Sequence, residues 1–229
     1  MRCLLLVLQG PLLAFGAEAV DARGVVSDFP GASMLTGMLA NALGWRRTDR
    51  EQLARLQDRL NFVARIDHEG SRLTDFQTAQ LGKDDQGWTT RGAPEGRDGG
   101  AATYNSPHIR RRDYDADKKV SIALTLAEPA ENPTLDDLAV ALCHPSRPLF
   151  LGRKSCLPER PIFDALSDAE NLLAALPPLT VPARILIPAG VPALPHDELC
   201  LVSDHRNWIS GMHGGQKAMI IRRVVGATP

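Results

Sequence analysis

The sequence predicts an α+β fold of ferredoxin-like type, a helix-backed antiparallel sheet with extra strands at its C-terminal end. Three observations carry that prediction. Apolar residues first run continuously, then recur at helical spacing, then alternate, so strand, helix, strands, strand, helix and strand follow one another along the chain. The 229 residues, 44% of them hydrophobic, supply a real core for one large or two small domains. No segment approaches the ~18 consecutive apolar residues that span a bilayer, so no membrane partner is expected.

The first element is "RCLLLVLQ", Arg2 to Gln9. The surrounding "MRCLLLVLQGPLLAFGAEA" has the arginine, apolar run and small residues of a secretory signal, but the run stops at Gln9-Gly10-Pro11. A short run ended by turn residues reads as a buried strand followed by a tight loop. Met34, Leu35, Met38, Leu39, Ala42 and Leu43 then recur at helical spacing, with Ser33 as N-cap and Gly44 as C-terminal stop. A second helix opens on "TDRE", a capping box from Thr48 to Glu51, and carries Leu53, Leu56 and Leu60 as its stripe.

"NFVARIDHEGSRLTDFQTAQ" reads as two strands about a Glu69-Gly70 turn, and Val120, Ile122, Leu124 and Leu126 alternate as a half-buried strand. A helix around Leu135 to Leu142, a strand at "PLFLG" and a helix from Ala165 to Leu176 follow. Short strands at "RILI", "LCLV" and "AMIIRRVV" close the chain. This divides the protein into a core of residues 1–81 and 107–170, an excursion over 82–106, and a C-terminal strand extension over 171–229.

Charge is unevenly spread. A formal net charge of −1 argues against indiscriminate coating of nucleic acid. From Pro107 to Lys119, however, five Arg or Lys stand against three Asp, and from Ser146 to Arg160 the cations Arg147, Arg153, Lys154 and Arg160 face Glu159 alone. No acid follows Asp204, while acids gather in Asp84 to Asp98 and Glu128 to Asp137. The functional reading is one basic and one acidic face; the plain one is solvated helix faces and loops. Between Gly82 and Pro107 the Gly- and charge-rich sequence loses all periodicity, as functional or disordered loops do. It leads directly into Arg110, Arg111 and Arg112, which places them at the root of a protruding hairpin or arm.

The four cysteines form no CxxC pair and no secreted framework, which suits a reducing cytoplasm. A zinc set drawn from Cys143, His144, Cys156, His196 and Cys200 matches no familiar ligand spacing. "DHRNWISGMHGG" suits a turn between the last strands better than a metal nuclease, which needs a convergent ligand set. No cofactor is expected.

Five segments in order, "LLLVLQGPLLAFG", "DFPGASMLTGMLANALG", "RRRDYDAD", "RPLFLGRKSCLPERPI" and "DHRNW...HGGQKAMIIRR", resemble the Cas-five subunits of the type I-E CRISPR surveillance complex, Cascade. The resemblance runs from Arg2 to about Arg223. It implies an RRM-like fold with a thumb hairpin, capping of the 5′ handle of the CRISPR RNA, and contact with the backbone subunit CasC and the large subunit CasA. Through the complex, such a subunit meets the remaining Cascade subunits and target DNA. Processing of precursor RNA belongs to another subunit in type I-E systems, so a non-catalytic scaffold is expected. Departures from the family pattern lie at Asp113-Tyr114-Asp115, Lys118-Lys119, Ala14-Phe15 and Gly31-Ala32.

The residue chemistry fits an RNA strand. Planar guanidinium groups donate paired hydrogen bonds to phosphate oxygens, so Arg110, Arg111, Arg112 and Arg153, with Lys118, Lys119 and Lys154, are candidate contacts. The helix beginning at Ser33 offers free N–H groups to an anion. Tyr114 either stacks on a base or fills a gap beside the strand. With 5% aromatics, phosphate contact and shape should outweigh stacking. The rival reading is a metal-independent endoribonuclease, since Cas-five proteins of another subtype cut RNA. Here His108, His205 or His213 would be the base, with Tyr114 or Lys119 assisting.

Overall fold

The computed structural model describes residues 1–17, 22–79, 87–88, 94–95 and 108–224. In chain order these form β1 (Arg2–Gln9), β2 (Leu12–Leu13), β3 (Arg23–Gly24), α1 (Ala32–Ala42), α2 (Arg50–Arg59), β4 (Leu60–His68) and β5 (Ser71–Ala79). There follow β6 (Gly87–Trp88), β7 (Pro94–Glu95), β8 (His108–Ala116), β9 (Lys119–Leu126), α3 (Leu135–Cys143) and β10 (Phe163–Asp168). The last elements are α4 (Leu172–Ala175), β11 (Ala183–Pro188), β12 (Glu198–Val202) and β13 (Lys217–Val224).

Seven strands form one antiparallel sheet in the order β10-β1-β9-β4-β11-β13-β12. Strand alternation sends Leu4, Leu6 and Leu8, Phe62, Ala64 and Ile66, and Val120, Ile122 and Leu124 to one face, where they pack on Leu35 and Leu39 of α1, Leu56 of α2 and Leu138 of α3. The opposite face carries Cys3, Val63, Ala123, Ile185 and Ile187, covered by Ala175 and Leu176 from and just after α4. Both faces being covered, β9 is buried on both sides rather than half-buried as its alternation suggested.

A second, smaller sheet is organised by β8, which pairs along its whole length with β5 on one edge and with β2 and β3 on the other. The chain crosses between sheets at Gly70 and again at Asp117-Lys118. Gly70 has φ +66°, and a Cβ there would stand 2.1 Å from the Ala116 carbonyl oxygen, so the two crossings touch and only glycine fits. The two strands expected about Glu69-Gly70 are therefore present but join different sheets.

Four expectations are corrected. "PLFLG" is not a strand; it runs as packed coil, with Leu151 fully buried and its carbonyl accepting from Ala14 N–H at 3.0 Å. The helix expected over Ala165–Leu176 is the strand β10 plus the single turn α4, because β10 pairs with the exposed edge of β1 and tertiary pairing overrides local propensity. Helix α2 opens at Asp49 without a side-chain cap, so the Thr48–Glu51 box does not form; the box that does form is at Thr134 and Asp137, opening α3. Ser33 is not an N-cap: α1 begins at Ala32, two residues earlier than that cap would place it, with Gly31 at the N-cap position. The Gly44 stop is as expected, at φ +82°.

Candidate nucleic-acid interface

The β5/β8 ladder and the turn after Leu151 enclose an open groove of about 970 Å³. Pairing of Leu73 with Tyr114, Asp75 with Arg112 and Gln77 with Arg110 fixes its floor, because cross-strand partners share a face. Arg112, Tyr114, Arg153 and Lys154 line it together. The turn that supplies Arg153 and Lys154 is held by Gly152, at φ +102°, where a Cβ would stand 1.9 Å from the Ala14 carbonyl oxygen. Close approach of two backbones thus aims the basic pair into the groove.

Arg153 is tied to its surroundings on three sides. Its Nη1 donates to the Asp113 carbonyl at 2.8 Å, its Nη2 to the Gly24 carbonyl at 2.9 Å, and its guanidinium lies 4.7 Å from the centre of the Tyr114 ring. Two of five N–H donors are used, which leaves donors for a phosphate without moving the side chain. Tyr114 is buried beneath it and acts as a platform for the cation. Lys154 is exposed.

Alternation along β8 divides the arginine triplet. Arg110 and Arg112 share the Tyr114 face; Arg111 stands on the other face with Asp113 and Asp115. On that other face Asp113 accepts from Thr74 Oγ1 at 2.7 Å and from Arg23 at 3.3 Å. The Thr74 bond, with Arg23 adding to it, holds the Asp113 carboxyl below its ordinary range against the opposing effect of burial. Asp115 accepts from Arg72 Nε at 2.8 Å and from Lys118 Nζ at 2.9 Å. Arg72 reaches on to Asp28 at 3.2 Å, and Asp28 to Arg184 at 2.8 Å, which also grips Glu69 with two bonds of 2.7 and 2.6 Å. Burial alone would raise Asp28, but the Arg184 bond and the surrounding cations hold it below its usual range.

Of the residues expected to meet RNA, the structure brings Arg110, Arg112, Tyr114, Arg153 and Lys154 to one face or groove and leaves four outside it. Lys118 is 1% exposed and faces inward to Asp115, not outward to solvent. Lys119 opens β9 opposite Gln9, half-buried in the main sheet. Arg111 faces away. Ser33 lies in the first turn of α1, where the Ala32 N–H is taken by the Asp204 carboxylate, so that helix start already holds an anion from its own chain. Thr74, Asp75, Phe76 and Gln77 of β5 line the groove and were not singled out; β5's pairing partner was the missing information.

Of the candidate bases, neither His205 nor His213 lines the groove. His205 Nε2 contacts Asp58 Oδ1 at 3.1 Å, and His213 Nε2 contacts Ser33 Oγ at 3.4 Å. The excursion over 82–106 and the His108 side chain lie outside the described residues, apart from the β6–β7 pairing. The drawn zinc set does not converge: among the described residues no three His, Cys, Asp or Glu side chains gather as a metal would require. No helix among them is long and apolar enough to cross a membrane.

With this geometry in place, comparison with known proteins is specific. The chain is 30% identical over 173 residues to the CRISPR system Cascade subunit CasD of Escherichia coli (strain K12), covering 76% of this chain and 75% of that one. It superposes with a TM-score of 0.70 and 26% identity on a chain of a solved CRISPR RNA-guided surveillance complex, across 99% of this chain and 91% of that chain. A second solved structure, of a Cas protein, shares the fold at a TM-score of 0.61 and 24% identity, across 99% of this chain and 95% of that one. The family profile described as CRISPR-associated protein (Cas_Cas5) matches residues 3–210, and the chain belongs to that family.

Proposed function

We propose that this chain is a non-catalytic subunit of a cytoplasmic CRISPR surveillance complex of type I-E, and that its groove grips the 5′ handle of the CRISPR RNA. In this reading residues 1–81 and 107–170 form a ferredoxin-like, RRM-like core, residues 82–106 are the thumb inserted between β5 and β8, and residues 171–229 extend the sheet. The order β10-β1-β9-β4, all antiparallel, supports the core assignment. The subunit would join the backbone subunit CasC to the large subunit CasA and meet target DNA through the assembled complex.

The observation that carries the RNA reading is the convergence of Arg112, Arg153 and Lys154 in one open groove over Tyr114. A phosphate there meets a guanidinium already fixed by two carbonyls, so little side-chain entropy is lost on binding. A binding role is favoured over RNA cleavage because His205 and His213 are engaged elsewhere. The test is retention of repeat-derived RNA by complexes carrying Arg112→Ala with Lys154→Ala, across a salt series. The salt slope should fall by ~0.7 for every phosphate that is no longer neutralised. Unchanged affinity and slope would sink the reading; metal-independent cleavage of repeat RNA, abolished by His108→Ala, would favour the ribonuclease.

A further inference from the structure

The turn between β12 and β13 has no part in the groove, yet it carries an unusual charge arrangement. Residues 205–214 close on themselves: Arg206 and His213 form an antiparallel bridge, Gly214 N–H donates to the His205 carbonyl at 3.0 Å, and Asn207 N–H to the Met212 carbonyl at 2.8 Å. Gln57 of α2 seats the turn, its Nε2 donating to the Arg206 carbonyl at 3.0 Å and its Oε1 accepting from Arg206 N–H at 3.2 Å. The guanidinium of Arg206 lies 5.1 Å from the centre of the Trp208 ring.

Arg47, from the connection between α1 and α2, meets it there. The Nη2 atoms of Arg206 and Arg47 stand 3.5 and 3.8 Å from the position a Cβ on Gly211 would occupy. Among the described residues no carboxylate pairs with either, and Arg206 Nε is buried without a partner. Burial, and then the charge of Arg47, lower the pKa of Arg206. Two like charges are thus held together by the fold with no counter-charge from it. On the same turn Ile209 and Met212 are each 70% exposed.

We propose that this turn is a docking surface for a partner protein, one Asp or Glu of which sits between the guanidinium groups of Arg47 and Arg206 while apolar neighbours cover Ile209 and Met212. A carboxylate matches the guanidinium fork and relieves the repulsion of the pair. Arginine, tryptophan and methionine are the residues enriched at such interfaces, and Trp208 holds Arg206 in place before docking. A phosphate would answer the charge but leave both apolar side chains in water, so a protein segment fits better than a nucleic-acid strand. The choice of partner, another subunit of the surveillance complex, rests on the proposed function.

The test uses the full chain co-expressed with the other subunits, read by native mass spectrometry with RNA present and after its removal, alongside the melting temperature of the isolated chain. Arg47 is exposed, so Arg47→Gln should leave the melting temperature unchanged or raised while weakening protein assembly at least tenfold. Arg47→Glu should raise the melting temperature by pairing with Arg206 and abolish docking. Ile209→Ser with Met212→Ser should also weaken assembly. Wild-type assembly by Arg47→Gln, or a lowered melting temperature, would overturn the docking surface. Loss of RNA with protein stoichiometry intact would make the pair a phosphate site and overturn it as well. Failure of the wild-type chain to assemble at all would instead overturn the functional reading, and this partner with it.

Discussion

Strand β9 buries Val120, Ile122 and Leu124 completely between two covered faces, whereas β8, two residues earlier in the chain, buries Asp113 and Asp115 and exposes Arg110, Arg111 and Arg112. The main sheet is stabilised by apolar area removed from water, which is non-directional and tolerant. The smaller sheet is held by charges. Its ion pairs run from Lys118 through Asp115, Arg72, Asp28 and Arg184 to Glu69, across the place where the chain passes between the sheets. These directional bonds tie the ladder to the core where the chain passes between the sheets. In this arrangement Asp113 and Asp115 face inward while Arg110 and Arg112 remain outward, and Asp75 is the one acid of the ladder on the groove floor among the described residues.

Breaking the charged clasp should have the largest effect. Asp115→Ala leaves Lys118 buried and unpaired, which should cost about 3–5 kcal/mol, and hydrogen exchange should report first on β5 and β8. If β9 and β1 lose protection to the same extent as β5 and β8, the two regions are a single cooperative unit and the contrast fails. Leu124→Ala in β9 should cost about 2–5 kcal/mol by leaving a cavity in the main core. Its effect should be global unfolding at lower denaturant, with RNA affinity of the folded fraction unchanged.

Arg153→Ala sharpens the comparison, since Arg153 belongs to both architectures. It should destabilise the fold by about 1–3 kcal/mol through loss of its bonds to Asp113 and Gly24, lowering the melting temperature, and reduce RNA retention in the same variant. A thermal effect alone would leave Lys154 and Arg112 as the only phosphate partners in the groove. Thr134→Ala removes the α3 capping box and should cost about 1 kcal/mol with no effect on RNA.

The smallest expected effect is pH-dependent and concerns the C-terminal strands. Arg222 holds the Asp197 carboxyl down to about 2 through bonds of 2.9 and 2.8 Å, aided by the Leu194 N–H. A carboxyl whose folded pKa is depressed contributes stability above its unfolded value of about 4 and loses it as pH falls toward 2. Asp197→Asn should therefore flatten the acid limb of the stability curve in that window and leave neutral-pH RNA binding alone. An unchanged acid limb would show that Asp197 contributes nothing there.

Much of the fold is written locally. The apolar run of β1, the helical spacing of α1 and α3, and the patterns of β9, β11, β12 and β13 each encode their element within a few residues, because burial on one or two faces is a local periodicity. The basic residues of the groove were likewise visible as residue types. What no local pattern holds is which strand edges meet. The edge of β1 claimed Phe163–Asp168 as a strand against its helical look, and Leu149 and Leu151 were buried as coil, with the Leu151 carbonyl accepting from Ala14 N–H. Forming β8 as a strand turned Arg111 away from Arg110 and Arg112, and the Asp115 carboxylate drew Lys118 inward. Sequence alone determined most of the elements and the supply of charge. The tertiary structure decided which charges face water, since strand pairing and ion pairing join residues dozens of positions apart and their energies appear only once the chain has closed on itself.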